Sequence, residues 1–229
     1  MSRYFPQVSE TDDDGLLAFS EKISTPLLVD AYNNGIFPWP LAEGAPVPWF
    51  APNERALLFL SELKINRSFK RTLKAHPWTV TLNRCTEEVI RQCATSNNRP
   101  GQTGTWITSE IIENYNTLAA HGLCYSVETW IDGNLAGGFY GVTIGAMVSG
   151  ESMFYLCPGA SRVALWALVN FLKCRNHTWI DCQVMTPFFA SIGARNIPRD
   201  DFSTLLRKCL SQPPAFDNCN NGLVIHQSD

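Results

Sequence analysis

The segment Trp179-Ile180-Asp181-Cys182-Gln183-Val184 alternates apolar and polar side chains. Residues two apart share a face of a strand, so Asp181 and Gln183 are expected to project together, opposite Ile180, Cys182 and Val184. Earlier in the chain, Gly150-Glu151-Ser152-Met153-Phe154 sets one carboxylate beside a glycine, a methionine and an aromatic ring. The run before it, Gly137-Gly138-Phe139-Tyr140-Gly141, is rich in glycine. Two carboxylates and an amide facing an apolar pocket suit a cationic or amine ligand. An unpaired buried carboxylate is costly, so Glu151 and Asp181 require either an internal arginine or the positive charge of a ligand.

Other patterns carry two readings each. Arg67, Lys70, Arg71 and Lys74 fall at i, i+3, i+4 and i+7, one face of a helix. That face is either solvated or in contact with phosphates, which give affinity without sequence discrimination. Trp49 and Trp106 sit in Pro- or Gly-rich loops, as core residues or as rings that stack on a base. Phe139, Met153, Leu165 and Ile180 form either plain core or a pocket for an unbranched or aromatic side chain, with Gly150 leaving room for a ligand. The eight cysteines include no Cys-x-x-Cys pair, and the four histidines are dispersed, which argues against a metal centre. No Walker phosphate loop and no Gly-x-Gly-x-x-Gly fingerprint is present.

These groups need a scaffold. A chain of 229 residues with 45% hydrophobic and 17% charged residues is globular, and its net charge of −3 argues against wholesale nucleic-acid wrapping. The first residues hold no apolar run of signal-peptide length, and no run is long enough to span a bilayer, so a cytoplasmic location is expected. Pro26 opens a helix to Asn34, and the proline-rich stretch after it is expected to be irregular. Helices are expected over 67–74, 86–94, 109–120, 161–174, 187–192 and 202–210. Strands are expected over 56–60, 78–82, 125–131, 135–143, 146–154 and 179–184, with Asp132-Gly133-Asn134 as a hairpin turn. The tail from Ser211 is expected to be ragged. The division is 1–63 as an N-terminal domain, 64–104 as a connecting region with a loop at 97–104, and 105–229 as a catalytic domain. Three meander strands, a crossover helix and a parallel neighbour is the order of the acetyltransferase (GNAT-type) core. The expected class is therefore α+β: a small N-terminal α/β domain plus a GNAT-like C-terminal domain with a mixed sheet and central helix. The turn Cys157-Pro158-Gly159-Ala160-Ser161-Arg162 lacks the leading Arg or Gln and the second glycine of a coenzyme A cradle.

Collinear segments then resemble one family, the bacterial leucyl/phenylalanyl-tRNA–protein transferases. They include Gly35-Ile36-Phe37-Pro38-Trp39, Trp49-Phe50-Ala51-Pro52, Arg67-Ser68-Phe69-Lys70-Arg71 and Gly104-Thr105-Trp106-Ile107-Thr108. Ser126-Val127-Glu128, Gly137 to Gly141, Gly150 to Phe154, Ile180-Asp181-Cys182-Gln183 and Ser191-Ile192-Gly193-Ala194 continue the match. The resemblance implies transfer of Leu or Phe, and Met less well, from Leu-tRNA or Phe-tRNA to proteins that begin with Arg or Lys, marking them for degradation. It implies no metal or other cofactor, no membrane partner and a monomer. Asp181, Gln183 and Glu151 would be catalytic. Trp49, Trp106, Phe139, Gly150, Ser152, Met153, Leu165 and Ile180 would contact substrate, and Arg67, Lys70, Arg71 and Lys74 would contact tRNA. Backbone N–H groups near Gly150 are the expected oxyanion donors. An N-acetyltransferase of the same fold and a non-catalytic RNA-binding module are the alternatives.

Overall fold

The computed structural model describes residues 2–95, 105–217 and 223–225, so the loop expected at 97–104 lies outside the described residues, as does Cys219. After a short 3-10 turn at Val8–Glu10, the first strand is β1 (Leu16–Ser20). Helix α1 (Thr25–Asn33) follows, with the Ser24 side chain accepting from the Leu27 N–H and Pro26 in the first turn, where its missing N–H costs nothing. The proline-rich stretch is not irregular throughout. It holds β2 (Phe37–Pro38) and β3 (Val47–Phe50), which join β1 in an antiparallel sheet ordered β1-β3-β2. Pro38 lies on the edge strand β2, where no ladder donor is missed, and Pro48 in the central strand still accepts from the Trp39 N–H at 3.0 Å.

Strand β4 (Glu54–Phe59) leads to α2 (Arg67–Ala75), which Asn66 caps by accepting from the Phe69 N–H. Then come β5 (Thr79–Leu82), α3 (Thr86–Thr95) and α4 (Ser109–Ala120). The hairpin forms as the sequence requires: β6 (Cys124–Ile131) and β7 (Asn134–Ile144) are joined by Asp132 and Gly133, both at positive φ. The third meander strand is broken, however. β8 (Met147–Val148) and β9 (Ser152–Tyr155) each pair with β7, and the chain leaves the sheet between them at Ser149 to Glu151.

Helix α5 (Ala160–Cys174) is buried on most of its circumference, as its composition demands. It delivers the chain to β10 (Trp179–Gln183). This strand does not extend the meander as a parallel neighbour. It pairs antiparallel with β4, and its link to the meander is one parallel bridge between Ser149 and Asp181. Helix α6 (Pro187–Ile192), strand β11 (Arg195–Pro198) and helix α7 (Arg199–Leu210) follow, with β11 on the other side of β4. The tail is not ragged where it is described. Ala215 is buried, Phe216 stacks on Tyr125 and Phe171, and β12 (Leu223–Ile225) pairs with β5. Apolar surface in the tail outweighed its terminal position.

The protein is thus mixed α and β, and among the described residues its sheets are antiparallel: two of three strands, and one of six that runs from β12 through β5, β6 and β7. One core cluster joins Leu28, Tyr32, Phe37 and Trp49 to Tyr115, Tyr140 and Phe202. A second packs Leu58, Phe69, Phe139, Leu165 and Ile180 together. No described helix is long and apolar enough to cross a membrane.

Candidate functional site

The break between β8 and β9 is held open from several sides. The Ser149 carbonyl accepts from the Tyr125 hydroxyl at 2.9 Å, and the Ser149 N–H donates to the Val142 carbonyl at 2.9 Å. A Cβ on Gly141 would collide with the Ser149 carbonyl oxygen, so only glycine lets the kinked segment lie this close. The Gly150 N–H then donates to the Asp181 carbonyl at 2.9 Å, and the Glu151 N–H to the Tyr140 carbonyl at 3.0 Å. Both N–H groups are committed, so the expected oxyanion donors near Gly150 are not available. The other side of Gly150 is open: an added Cβ would meet nothing nearer than the Asp181 carbonyl at 4.0 Å.

On the facing strand, alternation fails at a bulge. Asp181 pairs with Leu57 and Gln183 with Ala56, leaving Cys182 as the extra residue. Gln183 has φ +62, in the left-handed region that a side chain with a Cβ disfavours. Asp181 and Gln183 therefore do not present a common face, and each finds its own partner. Asp181 is 2% exposed and takes a two-pronged ion pair from Arg55, Nε to Oδ1 at 2.8 Å and Nη2 to Oδ2 at 2.7 Å. Its Oδ1 also accepts from the Gln183 backbone N–H at 2.9 Å. The internal arginine is the answer for Asp181.

Glu151 has no such cation among the described residues. Its Oε1 accepts from Gln183 Nε2 at 2.8 Å and from Ser149 Oγ at 3.0 Å. Tyr115 OH lies 3.5 Å from its Oε2 and 2.6 Å from Tyr32 OH, and the Tyr32 hydroxyl also bonds the carboxylate. Burial pushes the Glu151 carboxyl above the usual range, opposed by the bonds from Tyr32, Gln183 and Ser149 and reinforced by the charge of Asp181. Burial, with the nearby Glu151 charge, raises both tyrosines well above the ordinary phenol, so they stay protonated donors. Sequence reasoning missed Tyr32 and Tyr115. They lie on α1 and α4, far apart in the chain, and as helical aromatics they carry no signal beyond core.

The remaining predicted residues divide. Phe139 stands opposite Met153 across β7 and β9, and both join Leu165 and Ile180 in one apolar cluster. Ser152 stands opposite Tyr140 in the same ladder. Leu165 also lines a shallow cleft with Phe69, Arg162, Trp166, Phe188 and Ile192. Trp49 is wholly buried, packed on Phe5 and donating to Ser20 Oγ at 2.9 Å, so it has no free face for a base. Trp106 is half-buried, with its ring 6.4 Å from that of the more exposed Trp39. Arg67, Lys70, Arg71 and Lys74 are all exposed on α2, and none is in an ion pair among the described residues. Phe69 on the opposite face anchors the helix, under the Arg162 guanidinium at 4.8 Å. Among the described residues no three His, Cys, Asp or Glu side chains form a metal-binding group.

Comparison with known proteins adds to this geometry. Residues 57–207 match the family described as Leucyl/phenylalanyl-tRNA protein transferase, and residues 21–53 match the one described as its N-terminal domain. The chain is 46% identical over 214 residues to the leucyl/phenylalanyl-tRNA–protein transferase of Syntrophus aciditrophicus, covering 93% of this chain and 89% of that protein. It is 44% identical over 215 residues to that of Laribacter hongkongensis, with 93% and 91% covered. For the protein of the same name in Flavobacterium psychrophilum the identity is 42% over 204 residues, with 89% and 96% covered.

Proposed function

Since the chain belongs to the leucyl/phenylalanyl-tRNA protein transferase family, we propose that Glu151 and Gln183 carry its chemistry, with Asp181 holding Gln183 in place. The protein is an aminoacyltransferase that moves Leu or Phe from aminoacyl-tRNA to a protein N-terminus. In the finer reading its donors are Leu-tRNA and Phe-tRNA, with Met carried less well. Its acceptors begin with Arg or Lys and are thereby marked for degradation, and it acts as a monomer in the cytoplasm. The observation that carries the assignment is the Gln183 amide lying 2.8 Å from a half-buried carboxylate that has no cation among the described residues, beside the open side of Gly150.

The reaction needs alignment more than driving force, because an amine displaces an ester. The amine nitrogen attacks the ester carbonyl carbon, the amide bond forms, the bond to the ribose oxygen breaks, and that oxygen leaves with a proton. Holding amine and ester together supplies on the order of 7–11 kcal/mol in well-oriented cases. Glu151 suits the incoming ammonium: a free α-amino group has a pKa of about 8, and a carboxyl raised by burial is the better matched base. Gln183 has no useful basicity, but its second amide N–H is a donor for the oxyanion. The cluster of Phe139, Met153, Leu165 and Ile180 is the proposed seat of the donor's apolar side chain. Ser152 and Trp106 are proposed substrate contacts, and the exposed face of α2 is the proposed tRNA contact. Support for an acetyltransferase-type arrangement comes from the single parallel bridge between Ser149 and Asp181, where two strands part around the site.

Transfer of labelled leucine from Leu-tRNA to peptides beginning with Arg, Lys or Ala tests the reading. Modification of the Arg and Lys peptides alone is expected. Equal labelling of the Ala peptide would refute the acceptor assignment, and no labelling by the purified protein would refute the donor assignment.

A further inference from the structure

We infer that Arg55 is a positioning residue of the transfer reaction: clamped in the core, it makes Asp181 a rigid anchor that sets Gln183 in the conformation presenting its amide to Glu151. The inference deepens the proposed function and rests on Gln183 and Glu151 handling the reacting groups.

Arg55 belongs to β4 and is 2% exposed. Its guanidinium lies between two aromatic rings, 4.7 Å from the centroid of Phe37 and 4.6 Å from that of Phe202. In the plane of the group, Nη1 donates to the Gly35 carbonyl at 3.1 Å while Nε and Nη2 grip Asp181. Two rings against the group and three hydrogen bonds from its nitrogens leave it little freedom to turn. A planar fork fits a carboxylate in this way, whereas a lysine ammonium would offer a point charge.

The consequence passes to the strand. Asp181 Oδ1 accepts from Arg55 and also from the Gln183 N–H. Left-handed backbone at a residue other than glycine persists only where its surroundings over-determine it. Here the bond from the Gln183 N–H to Oδ1 and the bulge against Ala56 hold φ at +62. With both oxygens bonded to Arg55, Asp181 acts through Gln183 and takes no proton from substrate. The chain of contacts runs from Arg55 to Asp181, to the Gln183 backbone, to its side-chain amide, to Glu151.

The test measures steady-state leucine transfer, tRNA binding and amide hydrogen exchange at Gln183. Arg55→Lys should keep tRNA binding and the KM for Leu-tRNA within about twofold, lower kcat at least about tenfold, and speed exchange at Gln183. Arg55→Gln combined with Asp181→Asn removes both charges yet keeps an oxygen for the Gln183 N–H. It should recover kcat relative to Arg55→Gln alone. A wild-type kcat in Arg55→Lys overturns the inference, and so does a neutral pair no better than the single variant. Should the Arg55 variants fail to fold, Phe202→Leu frees one face of the guanidinium and leaves the ion pair; its kcat should fall, and an unchanged value overturns the inference. Wild-type protein is assayed alongside. Absence of transfer by wild type counts against the proposed function, while exchange at Gln183 still reports on the anchor.

Discussion

Each of the two carboxylates singled out by the sequence solves the problem of burial in its own way. Asp181 is neutralised by Arg55, and removing one partner of such a pair costs about 3–5 kcal/mol because the other is left buried and charged. Loss of activity in Asp181→Ala would therefore mix lost stability with lost chemistry. Glu151 gives a cleaner probe. Its pKa is raised by burial, so above the unfolded value the folded state holds the proton longer than the unfolded chain. Stability from this group is full below the unfolded pKa and is lost as pH rises through the folded one. Glu151→Gln keeps an oxygen for the Gln183 amide and abolishes the titration. Its melting temperature should exceed that of wild type at neutral pH, and the two should converge in acid. Leucine transfer should fall at least about tenfold. Glu128, also buried with a raised pKa, is common to both proteins and cancels in the difference. A variant melting below wild type at neutral pH would show that the folded state favours the ionised form.

Among the elements, α2 keeps the charged face that its sequence pattern shows. Asn66 caps it and Phe69 roots it, so its four cations are free to face outward. Replacing Arg67, Lys70 and Arg71 by Glu should weaken tRNA binding and lower the slope of log affinity against log salt by about 2–3, since each phosphate contact contributes roughly 0.7–0.9. A slope equal to that of wild type would make this face merely solvated. Strand β10 is the opposite case. Its alternation was legible, but the bulge at Cys182 was not, and the bulge decides where Asp181 and Gln183 point. The break at Ser149 to Glu151 was equally hidden, because a stretch of mixed apolar and polar residues with one glycine is compatible with an unbroken strand.

Across the whole molecule, the N-terminal segments are part of the site's support. Tyr32 bonds Glu151, and the Gly35 carbonyl and the Phe37 ring hold Arg55. The buried Trp49 and Leu28 share a core with Tyr115, Tyr140 and Phe202. A chain of residues 54–229 loses Leu28, Tyr32, Gly35, Phe37 and Trp49. It should lack a cooperative melting transition and bind a hydrophobic dye, as loosely packed states do. A sharp transition in the truncated protein would show that the remainder folds on its own.

At the same scale the boundary between sequence and structure is plain. Local chemistry determined the hairpin at Asp132-Gly133, the capped helices, the charged face of α2 and the presence of Glu151, Asp181 and Gln183, because each depends on residues a few positions apart. Tertiary structure alone decided that Arg55 neutralises Asp181, that Tyr32 and Tyr115 converge on Glu151, and that Trp49 is core. These are contacts between distant segments, and no local period or propensity encodes which buried group meets which.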